Sequence, residues 1–250
     1  MTVAEKDASP VCCIGNYQSV CPILDAHDKY LESWHFLREM ARYYHVEKPF
    51  RYSLNAFLQA LKSVAELLVK NEVSREGLRN VYGQDVKKIF RAQPILDRCF
   101  KAREFVVHRR MLSSKSKIEM GLFRGRRIKL AFMHEIDNPF IDTEQIFEKV
   151  SGEYVDMFIG KDHPAIGEQF GINRQWIVDE IGDVEILQLC IGAFTEIGAI
   201  MEHAHKAFGF TFAGMNAFSD DEPIENYTTL LETDVDPSLF EKWGWVLTND

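Results

Sequence analysis

The chain has 250 residues, 46% of them hydrophobic and 27% charged, with a net charge of −9. This is an ordinary globular composition, with room for one large domain or two small ones. No run of about 18 apolar residues occurs, so no membrane-spanning helix is expected. The first ten residues lack the basic-then-apolar order of a secretory signal, and the cysteines (Cys12, Cys13, Cys21, Cys99 and Cys190) are odd in number with no CxxC. A disulfide framework is therefore excluded as the organising principle, and the cytoplasm is the expected compartment.

Residues 1–24 read as an irregular arm, interrupted by Pro10, Gly15 and Pro22. A helix is predicted from Asp25 to Tyr44, with Tyr30, Trp34, Leu37, Ala41 and Tyr44 at three-and-four spacing. A second starts near Pro49 and runs to Asn71, its stripe made by Leu54, Phe57, Leu58, Leu61, Val64, Ala65 and Leu68. Proline suits a first helical turn because its missing N–H has no partner there. Residues 72–93 are polar and give only a short helix around Asp85–Arg91. Pro94 opens a strong helix to Met111, with Ile95, Cys99, Ala102 and Val106 on one face.

After Ser113 the period changes to two. Ile118, Met120 and Leu122, then a turn at Gly125, then Ile128, Leu130 and Phe132 predict a β-hairpin over about 117–133. Asp142 or Thr143 caps a helix to Val150. Residues 151–182 are ambiguous. A last long helix is predicted from Asp183 to Phe208, where Gly192 and Gly198 weaken the helix but permit close approach of another. Residues 209–250 read as an acidic tail packed on the surface. The expected architecture is mainly α: an antiparallel helical bundle over 25–208 with a small β-hairpin insertion.

Charge is unevenly spread. Residues 98–129 hold 11 basic and 2 acidic side chains, whereas residues 130–250 hold 5 basic and 24 acidic. The basic segment either contacts phosphate or packs against the acidic half. Within it lies Arg103-Glu104-Phe105-Val106-Val107-His108. Histidine titrates near neutral pH and can move protons, and arginine stays cationic and can fork onto phosphate oxygens. Arg109, Arg110 and Lys101 are candidate backbone contacts. Five helical residues turn through about 500°, so Arg103 and His108 diverge by about 140° on one regular helix.

Other chemistry is set aside. Cys12-Cys13, Cys21 and His27 suggest a metal set, but adjacent cysteines are poor tetrahedral geometry and no second pair follows. His203-Ala204-His205 places its rings on different helix faces, and His134-Glu135 lacks a second helical histidine. No metal or cofactor is expected. There is no phosphate-cradling loop, dinucleotide fingerprint or nucleophile elbow.

A helical hairpin followed by a helix bearing Arg-x-x-x-x-His resembles the HEPN superfamily. Phe50-Arg51-Tyr52-Ser53-Leu54-Asn55-Ala56-Phe57-Leu58 and Ala60-Leu61-Lys62-Ser63-Val64 look similar to the helix before its motif. The resemblance covers about residues 25–150 and 183–208. It implies a metal-independent endoribonuclease of toxin or defence type, with Arg103 on the scissile phosphate and His108 as general acid or base. It also implies a homodimer in which two motif helices meet, with RNA as ligand and an antitoxin-like protein as partner. Glu104 departs from the small polar residue that many active members carry after the arginine. The alternative is an inactive interaction or nucleotide/RNA-binding module.

Overall fold

A computed structural model describes residues 13–14, 21–109, 111–124, 127–149, 169–212 and 229–231. Among them the chain is mainly helical, with a small antiparallel sheet. The helices are α1 (Leu24–Arg42), α2 (Glu47–Lys70), α3 (Glu72–Tyr82), α4 (Val86–Ala92), α5 (Pro94–His108), α6 (143–149) and α7 (Ile186–Ala207). The strands are β1 (Cys13–Ile14), β2 (Ser114–Arg124), β3 (Arg127–Ile136), β4 (Gln169–Val178), β5 (Gly182–Glu185), β6 (Thr211–Phe212) and β7 (Thr229–Leu231).

The apolar stripe of α2 is buried from Leu54 to Leu68, Tyr30, Leu37 and Met40 form the inward face of α1, and Tyr44 is buried just beyond its end. Helix α7 carries apolar side chains almost all round and is enclosed accordingly. Ile186, Leu187, Cys190, Ala193, Phe194, Ile197, Ile200, Met201 and Ala204 are all buried along it, and it touches α1, α3 and α5. Tyr30 of α1 stacks on Phe194 with ring centroids 4.5 Å apart.

The polar stretch 72–93 holds two helices rather than one. Asn71 caps α3 by accepting from the Ser74 N–H at 3.0 Å. Gly83, at φ +64°, ends α3 in the left-handed conformation that glycine adopts without strain. Asp85 then caps α4. These local caps, not an apolar stripe, set the boundaries. Asp142 or Thr143 is the expected cap of the helix that follows. Asp142 stands just before it, its N–H donating to Gln145 Oε1 at 3.0 Å, while its carboxylate accepts from the Glu47 N–H of α2 at 2.7 Å and Thr143 Oγ1 accepts from Arg174.

The expected small hairpin is part of something larger. Strands β2 and β3 pair antiparallel over a longer span than predicted, and β2 also pairs with β4. The order is β3-β2-β4-β5, with β7 also pairing to β4. The turn at Gly125 lies outside the described residues. In β4 the inward positions are Ile172, Arg174 and Trp176, opposite Met120, Ile118 and Ser116 of β2. The buried arginine breaks the apolar alternation that would otherwise mark β4 as a strand. Helix α7 accordingly begins at Ile186 rather than Asp183, after the short strand β5.

The sheet is fastened to the α1–α2 corner by aromatic contacts. Trp176 stacks on Phe50 at 4.9 Å, and its indole N–H donates to the Tyr44 carbonyl at 2.8 Å. Tyr52 of α2 is 65% exposed. It follows Phe50 by two positions and so points away from the buried stripe.

Candidate functional site

Helix α5 positions the sequence-predicted site. Pro94 starts it, and the buried Leu96, Cys99, Phe100 and Ala102 seat it against the core. Arg103 lies on the flank facing α2, where its Nε donates to Gln59 Oε1 at 3.2 Å. Its Nη1 lies 3.2 Å from Glu104 Oε1. His108, one turn on, places Nε2 3.3 Å from Glu104 Oε2. A single carboxylate thus stands between the two proposed catalytic side chains. Lys101 is paired with Asp97 at 2.6 Å, and the Arg109 guanidinium lies over the Phe105 ring at 5.7 Å. Arg110 lies outside the described residues.

The basic segment does meet the acidic half. Lys117 Nζ lies 2.6 Å from Asp183 Oδ1 and Lys115 Nζ lies 3.5 Å from Asp179 Oδ1. The Ser113 N–H donates to Glu180 at 2.9 Å. Beside Lys117, the Asp183 carboxyl is held below its usual range, first by the hydrogen bond and then by the lysine charge. Part of the cationic surface of β2 is therefore matched within the chain.

A second cluster forms where the start of α1 meets the end of α7. Cys21 Sγ lies 3.6 Å from His27 Nδ1 and 3.4 Å from His205 Nε2, and the two ring nitrogens are 3.2 Å apart. His27 and His205 are buried, and Cys21 is half-buried at the rim. Burial, and then the neighbouring His205, lower the His27 pKa to about 4. Burial also depresses His205, whose Nδ1 lies 2.8 Å from the Met201 carbonyl oxygen. Phe212 closes one side, stacked on His205 at 4.8 Å and T-shaped to His27 at 5.5 Å. Strand β1 runs alongside, with Cys13 opposite Phe212 in register.

The two-residue spacing of His203 and His205 does send the rings apart. His203 Nδ1 lies 2.8 Å from Tyr82 Oη of α3, while His205 turns toward α1.

Residues 15–229 match the family described as Bacteriophage lambda protein ea47. The chain belongs to this phage family. The match spans both the α5 motif and the Cys21–His27–His205 cluster. No curated protein and no solved structure matches.

Membership in the Ea47 family overturns the HEPN resemblance. The resemblance rested on an Arg and a His five apart in an apolar helix after a helical hairpin. Amphipathic helices with a basic end produce that pattern for packing reasons alone. Among the described residues, no helix is long and apolar enough to cross a membrane.

Sequence reasoning set aside each half of the cysteine–histidine cluster separately. Cys21 and His27 were noticed together, and His205 was noticed with His203. What joins the two halves is a contact between residues 178 positions apart, which no local spacing encodes.

Proposed function

We propose that the protein is a non-catalytic interaction module built on a helical bundle and recognising a protein partner. The observation that carries this is Glu104, whose two carboxylate oxygens lie within 3.3 Å of Arg103 and His108. Metal-independent cleavage of RNA needs an imidazole free to exchange a proton and a guanidinium free to receive phosphate. Glu104 places a negative charge between the two groups and competes with phosphate for both. The pairing of Lys115 and Lys117 with Asp179 and Asp183 supports the same reading, because it leaves less uncompensated positive charge for nucleic acid.

The test is incubation of purified protein with total RNA in EDTA, beside His108→Ala, together with RNA affinity measured across a salt series. Neither protein should cleave, and affinity should be weak with a shallow salt slope. Cleavage by the wild type that His108→Ala abolishes would restore the endoribonuclease reading. Steeply salt-dependent RNA binding without cleavage would move the ligand from protein to RNA.

A further inference from the structure

We infer that Cys21, His27 and His205 supply three of the four ligands of one tetrahedral transition-metal ion of the Zn²⁺ class, with solvent in the fourth position.

The first argument is metric. Zinc bonds of about 2.3 Å to sulfur and about 2.0–2.1 Å to nitrogen, at tetrahedral angles, place ligand atoms about 3.3 Å apart for two nitrogens and about 3.6 Å apart for sulfur and nitrogen. The chain holds the nitrogens at 3.2 Å and the sulfur 3.6 and 3.4 Å from them. All three edges of the triangle therefore match a shared ion.

The second argument is a count of protons. Hydrogen bonding alone offers another account of three polar atoms in contact. The Nδ1 proton of His27 can serve one edge and the thiol proton of Cys21 a second, with His205 Nε2 accepting through its single lone pair. The third edge then has no proton of its own and can only share one of these two. A cation at the centre satisfies all three edges at once.

The third argument is tautomeric. The Met201 carbonyl oxygen, 2.8 Å from His205 Nδ1, can only accept, so that nitrogen carries the proton. The lone pair on Nε2 is left facing Cys21 and His27. A carbonyl fixing one ring nitrogen while the other ligates is the usual outer support of a metal-bound histidine.

The donor set selects the class of ion. One sulfur and two imidazoles suit Zn²⁺ or its first-row neighbours, whereas Ca²⁺ and Mg²⁺ require oxygen ligands. The consequence is architectural. The ion would join the segment entering α1 to the last turn of α7, at the corner where Phe212 of β6 packs and β1 pairs. Binding there is coupled to folding, since the unfolded chain does not hold these residues together.

The test uses the full chain stripped with chelator and then titrated with Co²⁺ and Zn²⁺. One ion should bind per chain. Bound Co²⁺ should show visible bands of tetrahedral geometry and a thiolate charge-transfer band in the near ultraviolet, and Zn²⁺ should displace it. Cys21→Ser, which keeps nearly the same volume at a half-buried position, should lose the charge-transfer band. His27→Gln and His205→Gln should weaken affinity by more than the ~10–100-fold typical of losing an outer-shell partner. Zn²⁺ should raise the Tm of the wild type and leave that of a Cys21→Ser/His205→Gln double variant unchanged. Circular dichroism confirms that each variant is folded, and Cys21→Ser alone decides the question if the histidine variants are not. Binding by the wild type no stronger than by the double variant, or a charge-transfer band that survives Cys21→Ser, would overturn the site.

Discussion

Tyr44 Oη lies 2.8 Å from Glu185 Oε1, joining the end of α1 to the residue that starts α7. Glu185 also accepts from the Leu187 and Gln188 N–H groups, and Tyr44 Oη accepts from the Trp176 N–H. This pair, with Tyr44 fully buried and Glu185 partly so, thus caps the central helix and fixes β4 beside it. Tyr44→Phe removes the phenol that serves both Glu185 and Trp176, leaving a buried N–H without its partner. It should lower stability by about 1–3 kcal/mol, read as a lower urea midpoint at unchanged slope.

Glu185 also sets a pH dependence. Burial raises its pKa above the usual value of 4.5, against the opposing hydrogen bonds. Its folded-state pKa therefore exceeds its unfolded one. The associated stability is fully present below the unfolded value and is lost as pH rises through the folded one. Glu185→Gln should remove this dependence. Urea midpoints of the wild type, but not of the variant, should carry a component that falls as pH is raised from about 4 upward.

Arg174 is fully buried. It donates from Nε to Ser116 Oγ, from Nη1 to Thr143 Oγ1 and from Nη2 to the Ile141 carbonyl, at 2.9 to 3.0 Å, with its guanidinium 3.6 Å above the Trp176 ring. Desolvation lowers its pKa to about 9, against the nearby Tyr44, Asp142 and Glu47. Lysine cannot reproduce this planar fork. Arg174→Lys should cost about 2–3 kcal/mol, and Arg174→Ala should cost more because it also leaves a cavity. Chemical denaturation of both variants checks the order.

The glycines of the helix contacts should differ sharply. A Cβ on Gly77 of α3 would lie 2.1 Å from Ala207 Cβ of α7. One on Gly198 would lie 2.9 Å from Tyr30 Oη, on a ring held by its stack with Phe194. Gly77→Ala and Gly198→Ala should each destabilise by about 1–3 kcal/mol despite the helix propensity gained. Gly192 meets only the flexible end of Ile95 at 3.3 Å, and Gly192→Ala should be neutral or stabilising by up to about 1 kcal/mol. Thermal melts of the three variants test the ranking.

The α5 cluster should matter little to folding. The His108 side chain is 64% exposed, so His108→Ala should change stability by less than about 0.5 kcal/mol. Glu104→Gln removes the negative charge beside Arg103 and His108. It should raise RNA affinity and steepen its salt dependence by about one unit of slope, without creating cleavage. Filter binding across a salt series measures both.

The sequence by itself determined the helices that bury a continuous stripe. Period and punctuation marked α1, α2, α5 and α7 within a few residues, because an amphipathic helix encodes its own inward face. It also marked β2 and β3, where apolar alternation is unbroken, and the close-approach role of Gly198. It did not reveal β4, because Arg174 occupies an inward position whose polarity is tolerated only once Ser116, Thr143 and the Ile141 carbonyl surround it. The position of Glu104, next to Arg103 and four residues before His108, permits either pair, but only the side-chain conformations show that one carboxylate makes both. Tertiary structure alone decided the cysteine–histidine cluster. Cys21 and His27 lie at one end of the chain and His205 near the other, and only the packing of α1 against α7 brings their donor atoms to ligand-like distances. Periodicity records which face a segment buries, but it carries no information on which distant segment that face will meet.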